Sequence, residues 1–144
     1  MEEFQSQAES VLKSKMTNAG LEISAKENGR EGVDFIVKGE TGKQTEVFLQ
    51  PMDMIAQQSS KIPKEKLGEP RENLWVALIG FIPDREPLIF LIPSETLAKP
   101  DSFVFFENNV GMHTYLSNWE IKVFTKGMEK LGEYIIYNQI ENFK

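Results

Sequence analysis

The stretch GVDFIVKGETGKQTEVFLQ, residues 32–50, decides the fold class of this chain. Residues 33–37 and 45–50 are rich in the β-branched and aromatic side chains that strands favour. Between these two runs, residues 39–42 (GETG) supply the glycines of a tight turn. The stretch therefore predicts two neighbouring strands that pair in an antiparallel hairpin.

An amphipathic helix is predicted before this hairpin. Over residues 2–19, apolar side chains recur at spacings of three and four, and Gly20 supplies a C-terminal stop. Residues 21–28 alternate in polarity, which predicts another strand that ends in a turn at Asn28-Gly29. A helix followed by an antiparallel meander is expected from this half of the chain.

The second half contains further strand patterns. Residues 73–81 (NLWVALIGF) are almost all apolar, as in a central strand covered on both faces, and residues 88–92 predict its partner. Ser94 is placed to cap a short helix over residues 95–98. Residues 102–106 suggest another short strand.

Three segments are predicted to be helical on weaker patterns, namely residues 52–61, residues 118–124 and a closing helix over residues 128–143. Within the last segment, residues 134–137 are equally compatible with a strand. Because 144 residues fit one domain of roughly 100–200 residues, we expect a single α/β domain over residues 1–144. Its architecture would be an N-terminal helix followed by a mixed central sheet of about five strands with flanking helices.

Composition excludes several kinds of site. The chain has no Cys, so a disulfide, a thiolate nucleophile and a Cys-based metal centre are impossible. His113 is the one histidine, and a lone histidine is more typical of a surface than of a catalytic base. With 22 Asp+Glu against 16 Lys+Arg, the net charge of −6 argues against a basic nucleic-acid footprint. The acidic N-terminus and the short apolar stretches predict a cytoplasmic protein without a membrane segment.

Four stretches carry a resemblance to a known family: AESVLKSKMTNAGLEI, GVDFIVKG, TEVFLQ and LWVALIGF–PLIFLIPSETL. Together they resemble the restriction-endonuclease-like PD-(D/E)XK superfamily, and in particular they are similar to compact bacterial domains of the restriction-enzyme and Holliday-junction-resolvase type. The matching stretches span most of the first two-thirds of the chain.

The resemblance implies metal-assisted phosphodiester hydrolysis, in which carboxylates hold Mg²⁺ and a lysine supports the nucleophile or the transition state. It assigns Glu9 as a supporting carboxylate and Asp34 as the main metal ligand. The triplet of acid or Gln, any residue and Lys falls on residues 48–50, where Phe48 cannot ligate a metal and Gln50 carries no charge.

A second register makes Glu46 the metal ligand and leaves Phe48 where the lysine belongs. Residues 46, 48 and 50 share one face of a strand, but Glu46 is displaced by roughly 7 Å from position 48. A slip by one residue would turn the site to the opposite face. We therefore expect the fold to be retained and the nuclease site to be lost, with Glu9, Asp34, Glu46 and Gln50 as its remnants.

Simpler roles for these residues remain open. Asp34 can satisfy turn amides, which is a common use of aspartate. Glu46 can pair across the hairpin with Lys38 or Lys43, and Glu9 can be a solvated helix residue.

Three functions from different classes follow. The favoured hypothesis is a non-catalytic binding module without a cofactor, whose partner is another protein or a second copy that associates through residues 103–106. The alternative is a metal-dependent nuclease acting on DNA or RNA, in which Asp34, Glu46 and Glu9 hold Mg²⁺ and a lysine such as Lys61 has migrated to the site. An acidic inhibitor or immunity-type protein is the third hypothesis, although its acidic residues are spread rather than clustered.

Overall fold

The structure is a computed structural model that describes residues 2–25 and 32–144. The predicted turn at Asn28-Gly29 lies outside the described residues. Within those two ranges, no helix is both long enough and apolar enough to span a membrane.

The described strands form a mixed five-stranded main sheet and an antiparallel three-stranded second sheet. In the main sheet the order is β1-β2-β3-β5-β6, and in the second sheet it is β4-β8-β7. The strands are β1 (Glu22–Ala25), β2 (Phe35–Lys38), β3 (Gln44–Asp53), β4 (Ser59–Pro63), β5 (Leu74–Phe81), β6 (Leu88–Pro93), β7 (Phe105–Asn108) and β8 (Asn118–Lys122).

The main sheet confirms the predicted meander and the predicted mixed sheet. Strands β1, β2 and β3 pair antiparallel in sequence order. Strand β5 then runs parallel to β3, and β6 pairs antiparallel with β5. Both faces of β5 are covered, as its apolar sequence indicated.

The second sheet corrects two of the helix predictions. Within residues 52–61, Met52 and Asp53 end β3, residues 54–58 form a turn and residues 59–61 begin β4, while residues 118–122 form β8. Ser60 and Ile62 are buried around an exposed Lys61, while Trp119 and Ile121 are buried in β8. This two-residue alternation belongs to strands with one covered face and one polar face.

The helices agree with the sequence at the N-terminus and in the short α3 (Ser94–Leu97), which overlaps the helix predicted over residues 95–98. Helix α1 (Glu2–Asn18) confirms the first prediction and buries Ala8, Leu12 and Met16. The closing helix predicted over residues 128–143 is wrong, because the chain there makes separate short turns around an extended Ile135. The single-turn helices are α2 (Lys64–Leu67), α3 (Ser94–Leu97), α4 (Met128–Leu131) and α5 (Ile136–Gln139).

The main sheet separates two hydrophobic cores. On one face of the sheet, α1 packs against β3 residues that include Val47 and Leu49. We call this cluster the helix-side core. Phe48 points to the opposite face and joins the inter-sheet core, which lies between the main sheet and the second sheet. Alternate residues of β3 thus serve opposite cores, so positions 46, 48 and 50 share the inter-sheet side.

Candidate functional site

Asp34 lies immediately before β2 and is bonded to the backbone of β3. Its Oδ2 accepts a hydrogen bond of 2.7 Å from the Leu49 amide, and its own amide donates to the Val47 carbonyl at 2.8 Å. The hydrogen bonds of Asp34 therefore continue the β2–β3 ladder one residue before the start of β2. Bonds from an amide to an ionised carboxylate are among the stronger hydrogen bonds in proteins, so the first role of Asp34 is to hold these strands together.

Glu46 is buried on β3 and forms an ion pair with Arg71 rather than with either predicted lysine. The distance from Arg71 Nε to Glu46 Oε1 is 3.5 Å. Lys43 instead donates to the Asn142 carbonyl at 2.6 Å, which holds its ammonium group at the turn after β2. The prediction that Lys38 or Lys43 pairs with Glu46 is therefore replaced by a contact with the connector between α2 and β5.

Ser94 positions the backbone of Arg71 and does not cap a helix. Its Oγ accepts from the Arg71 amide at 3.0 Å and donates to the Arg71 carbonyl at 2.9 Å. The residue that precedes the first turn of α3 is Pro93, which makes no side-chain cap. The predicted capping role of Ser94 is wrong because its hydroxyl is committed to another segment of the chain.

Gln50 links the two sheets. Its Nε2 donates to Ser60 Oγ at 2.9 Å and to the Lys61 carbonyl at 3.3 Å, both on β4. A glutamine amide can donate in this way, whereas a lysine there would place a charge between the sheets. The residue at the position where the resemblance implies a lysine therefore has a structural use.

Lys61, the proposed migrated lysine, lies on the other face of β4. Since Ser60 and Ile62 point inward, the exposed Lys61 side chain projects from the outer face of the second sheet, opposite Glu120 of β8. A hydrogen bond from Asn108 is the main cause that lowers the pKa of Glu120, and Lys61 lowers it further. Lys61 is thus part of a charged surface and is separated from Asp34 by the second sheet.

Phe48 occupies the centre of the inter-sheet side of β3. It lies between Glu46 and Gln50 along the strand, and only 8% of its surface is exposed. A phenyl ring supplies no metal ligand. The position where the resemblance implies a second ligand is therefore filled by a hydrophobic side chain that belongs to the core.

The structure places Glu46 and Gln50 on the inter-sheet side of β3 and Asp34 at the neighbouring start of β2, but it does not bring Glu9 there. Glu9 is on α1, which packs against the opposite face of the sheet. Across residues 2–25 and 32–144, no three His, Cys, Asp or Glu side chains are grouped so that they could hold a metal ion. The described side chains around Phe48 therefore do not form the cluster of carboxylates that a Mg²⁺ centre requires.

The contacts that Arg71 and Ser94 make were not predicted from the sequence. Arg71 lies in an irregular connector, and Ser94 follows a proline in a different part of the chain. Arg71 contacts Ser94 and Glu46, and these three residues belong to segments that are distant in sequence, so no local spacing indicates the contacts.

Comparison with known proteins finds no matching family model, no matching curated protein and no matching solved structure. The resemblance to the PD-(D/E)XK superfamily therefore remains a proposal that is based on the four sequence stretches.

Proposed function

We propose that this chain is a non-catalytic binding domain built on a restriction-endonuclease-like fold. Phe48 is the observation that carries the proposal. It occupies the strand position that should supply a metal ligand, and it is packed into the inter-sheet core. The implied chemistry requires carboxylates around a hydrated cation, and an apolar side chain at the centre excludes that arrangement.

The polar residues around Phe48 support the same conclusion, because each stabilises the fold. The Asp34 carboxylate binds a β3 amide, Glu46 pairs with Arg71, and Gln50 joins β3 to β4. A metal ion at this place would have to compete with these contacts. The net charge of −6 also gives little attraction for a phosphate backbone, whose binding depends on Lys and Arg.

Metal titration and a cleavage assay test this proposal directly. We expect no heat of binding with Mg²⁺ or Mn²⁺ at millimolar concentration and no cleavage of single- or double-stranded DNA or RNA. Asp34→Asn keeps the shape of the side chain and removes its charge, so it is the matched control. Metal binding or cleavage by the unchanged protein that disappears in Asp34→Asn would contradict the proposal.

Restoring the missing motif tests the fold assignment. In the double variant Phe48→Glu/Gln50→Lys, an acid and a lysine would lie on either side of Leu49, whose amide binds Asp34. If the fold is restriction-endonuclease-like, Mg²⁺ should raise the melting temperature of this variant and leave that of the unchanged protein constant. Phe48→Leu/Gln50→Met alters the same positions without adding charge and should show no such response.

Circular dichroism must first show that the double variant is folded, since a buried glutamate is costly. A folded double variant that is insensitive to Mg²⁺ would argue against the restriction-endonuclease-like assignment. A response that also disappears when Asp34→Asn is added would support it.

A further inference from the structure

An apolar cavity opens between the first turns of α1 and the turn that joins β5 to β6. Its volume of about 570 Å³ lies within the range of about 300–1,000 Å³ that is typical of small-molecule sites. The rings of Phe4 on α1 and Phe81 on β5 stack in its wall, nearly parallel, with centroids 5.0 Å apart. The rest of the apolar lining is formed by Val11, Ile82, Pro83 and Pro87. A ligand that fills this cavity must therefore have an apolar body.

The β5–β6 turn gives one side of the cavity a defined shape. Pro83 and Pro87 each restrict the backbone torsion φ, and Asp84 between them adopts a left-handed φ of 62°. The Arg85 amide closes the turn by donating to the Ile82 carbonyl at 3.3 Å. The wall is thus formed before a ligand arrives, which reduces the entropy lost on binding.

Asp53 and Arg85 are the charged residues in the described lining of the cavity. The Asp53 carboxylate is committed to the turn after β3, because its Oδ1 accepts from the Ile55 and Ala56 amides at 3.0 and 3.2 Å. Arg85 is exposed, and it forms no ion pair with a carboxylate in the described part of the chain. The charge that the cavity offers to a ligand is therefore the positive charge of the Arg85 guanidinium group.

We propose that this cavity binds a small carboxylic acid with an apolar body. The carboxylate would bind to Arg85, since a guanidinium group presents parallel N–H donors that match the two carboxylate oxygens. The body would lie against Phe4 and Phe81, where it gains the free energy of leaving water. A neutral apolar molecule would forgo the ion pair, and a cation would be repelled by Arg85.

This inference goes beyond the proposed binding role and does not depend on it. Val11 and Phe81 pack against the helix-side core, whereas Phe48, which carries the proposed function, belongs to the inter-sheet core. Cleavage that depends on Asp34 would contradict the non-catalytic role and leave the carboxylate site standing. Failure of the carboxylate site would leave the non-catalytic role standing.

A fatty acid and an aryl-alkyl acid share this chemistry, so the experiment uses a probe of each kind. Octanoate and 4-phenylbutanoate are both ionised at neutral pH, and isothermal titration calorimetry measures their binding. We expect a dissociation constant on the order of 100 μM for the tighter probe. The probe that binds more tightly shows whether the cavity prefers an acyl chain or an aromatic ring.

The matching alcohols test the role of the carboxylate. Octan-1-ol and 4-phenylbutan-1-ol keep each apolar body and replace the charged group with a neutral hydroxyl. We expect the unchanged protein to bind the tighter acid about tenfold more strongly than its alcohol, because a charge-assisted hydrogen bond is lost in the alcohol. Arg85→Gln should remove this preference and leave the affinity for the alcohol unchanged.

Two tryptophan substitutions on α1 test the place of binding. Ser10 lines the cavity, whereas Ser14, one turn further along the same helix, does not. Both side chains are exposed, so each variant should fold, and circular dichroism checks this. Ser10→Trp should weaken the binding of both acids by tenfold or more because the indole ring occupies the cavity. Ser14→Trp should bind them like the unchanged protein.

Four results would each overturn the inference. They are the absence of binding of either acid at about 5 mM, equal affinities for an acid and its alcohol, a preference for the acid that survives Arg85→Gln, and equal binding by Ser10→Trp and Ser14→Trp.

Discussion

Asp34 lies immediately before β2 and Phe48 lies on the neighbouring strand β3, and together they determine what this part of the sheet can do. The Asp34 carboxylate is bonded to the Leu49 amide, while Phe48 fills the space beside it. The carboxylate needs no cation to explain its position, because its bond to the strand backbone already accounts for it.

Replacing Asp34 by Ala should therefore destabilise the protein. The change removes a charge-assisted hydrogen bond and leaves the Leu49 amide without this acceptor, which costs roughly 1–3 kcal/mol of the free energy of unfolding. Urea unfolding at neutral pH measures the loss. Asp34→Asn retains an acceptor oxygen and should cost less, and an Ala variant as stable as the unchanged protein would show that the bond contributes nothing.

Gly32 and Gly42 form a matched pair of positions. Both have positive φ, at 76° and 87°. A Cβ on Gly32 would overlap the Leu67 carbonyl oxygen of α2, whereas a Cβ on Gly42 would meet no atom within 4 Å. The close approach of α2 to the start of β2 therefore depends on the missing side chain of Gly32.

We expect Gly42→Ala to cost about 1 kcal/mol of stability, because alanine is disfavoured at positive φ. Gly32→Ala carries the same conformational cost and must also displace backbone, so its loss should be larger by several kcal/mol, as for other strained core changes. Chemical denaturation of the two variants gives the comparison. Equal losses would mean that α2 shifts away freely.

At the scale of elements, the turn before β7 is organised by Asp101. Its Oδ1 accepts three amide hydrogen bonds of 2.9 Å, from Phe103, Val104 and Phe105. The Phe105 carbonyl in turn accepts from the Asp101 and Ser102 amides. These bonds occupy backbone groups of Phe105 at the free side of β7, which protects an edge strand from pairing with other chains.

This turn should make part of the stability depend on pH. Burial raises the pKa of Asp101, but the three amides and Lys130 outweigh it, so the pKa is lowered overall. A carboxyl group whose pKa is depressed in the folded state stabilises the protein at a pH above its unfolded pKa of about 4. Its contribution to the free energy of unfolding is lost as the pH falls through the pKa that it has in the folded state.

The experiment compares the unchanged protein with Asp101→Asn, which keeps an acceptor and cannot titrate. The difference in free energy of unfolding should be largest above about pH 5 and should shrink below about pH 4. Urea unfolding at several pH values measures it. A difference that stays constant down to about pH 3 would contradict a charge-based role for Asp101.

The elements predicted correctly from the sequence are those with strong local patterns. Helix α1 has a complete apolar stripe, and β2, β3 and β5 are apolar runs bounded by glycine or polar residues. Strands β4 and β8 were mistaken for helix because each has a polar outer face, and in β4 the inward pair is only Ser60 and Ile62. Their pairing is a tertiary interaction, which short-range periodicity does not encode.

The candidate site was predictable to a similar extent. Alternation along β3 correctly placed Glu46, Phe48 and Gln50 on one face. The partners of these residues, Arg71 and Ser60, come from segments without a recognisable pattern, so the sequence could not identify them.

At the scale of the whole molecule, the two cores share the strands of the main sheet. Phe48 and Val76 contribute to the inter-sheet core, while Val47 and Ala77, their sequence neighbours, contribute to the helix-side core. Neither core can lose its packing without disturbing strands that the other requires. We therefore expect the two cores to unfold together.

The two tryptophans provide one reporter for each core. Trp75 packs against Phe143 on the helix side, and Trp119 is buried on the inter-sheet side. In Trp119→Phe, the remaining Trp75 reports the helix-side core by its fluorescence. In Trp75→Phe, the remaining Trp119 reports the inter-sheet core. Within each variant, the fluorescence and the far-UV circular dichroism should give the same denaturation midpoint, and separate midpoints would show that the cores unfold independently.

The connection between the sheets also has a consequence for how the chain folds. The meander of β1, β2 and β3 pairs neighbours in sequence, but β4 must wait for β8, since Ser59 pairs with Lys122. Contacts between distant segments require large loops to close first, which slows folding. We therefore expect the second sheet to form late in folding. Until β8 pairs with β4, the Phe48 side of the main sheet is a transiently exposed hydrophobic surface that is prone to aggregation.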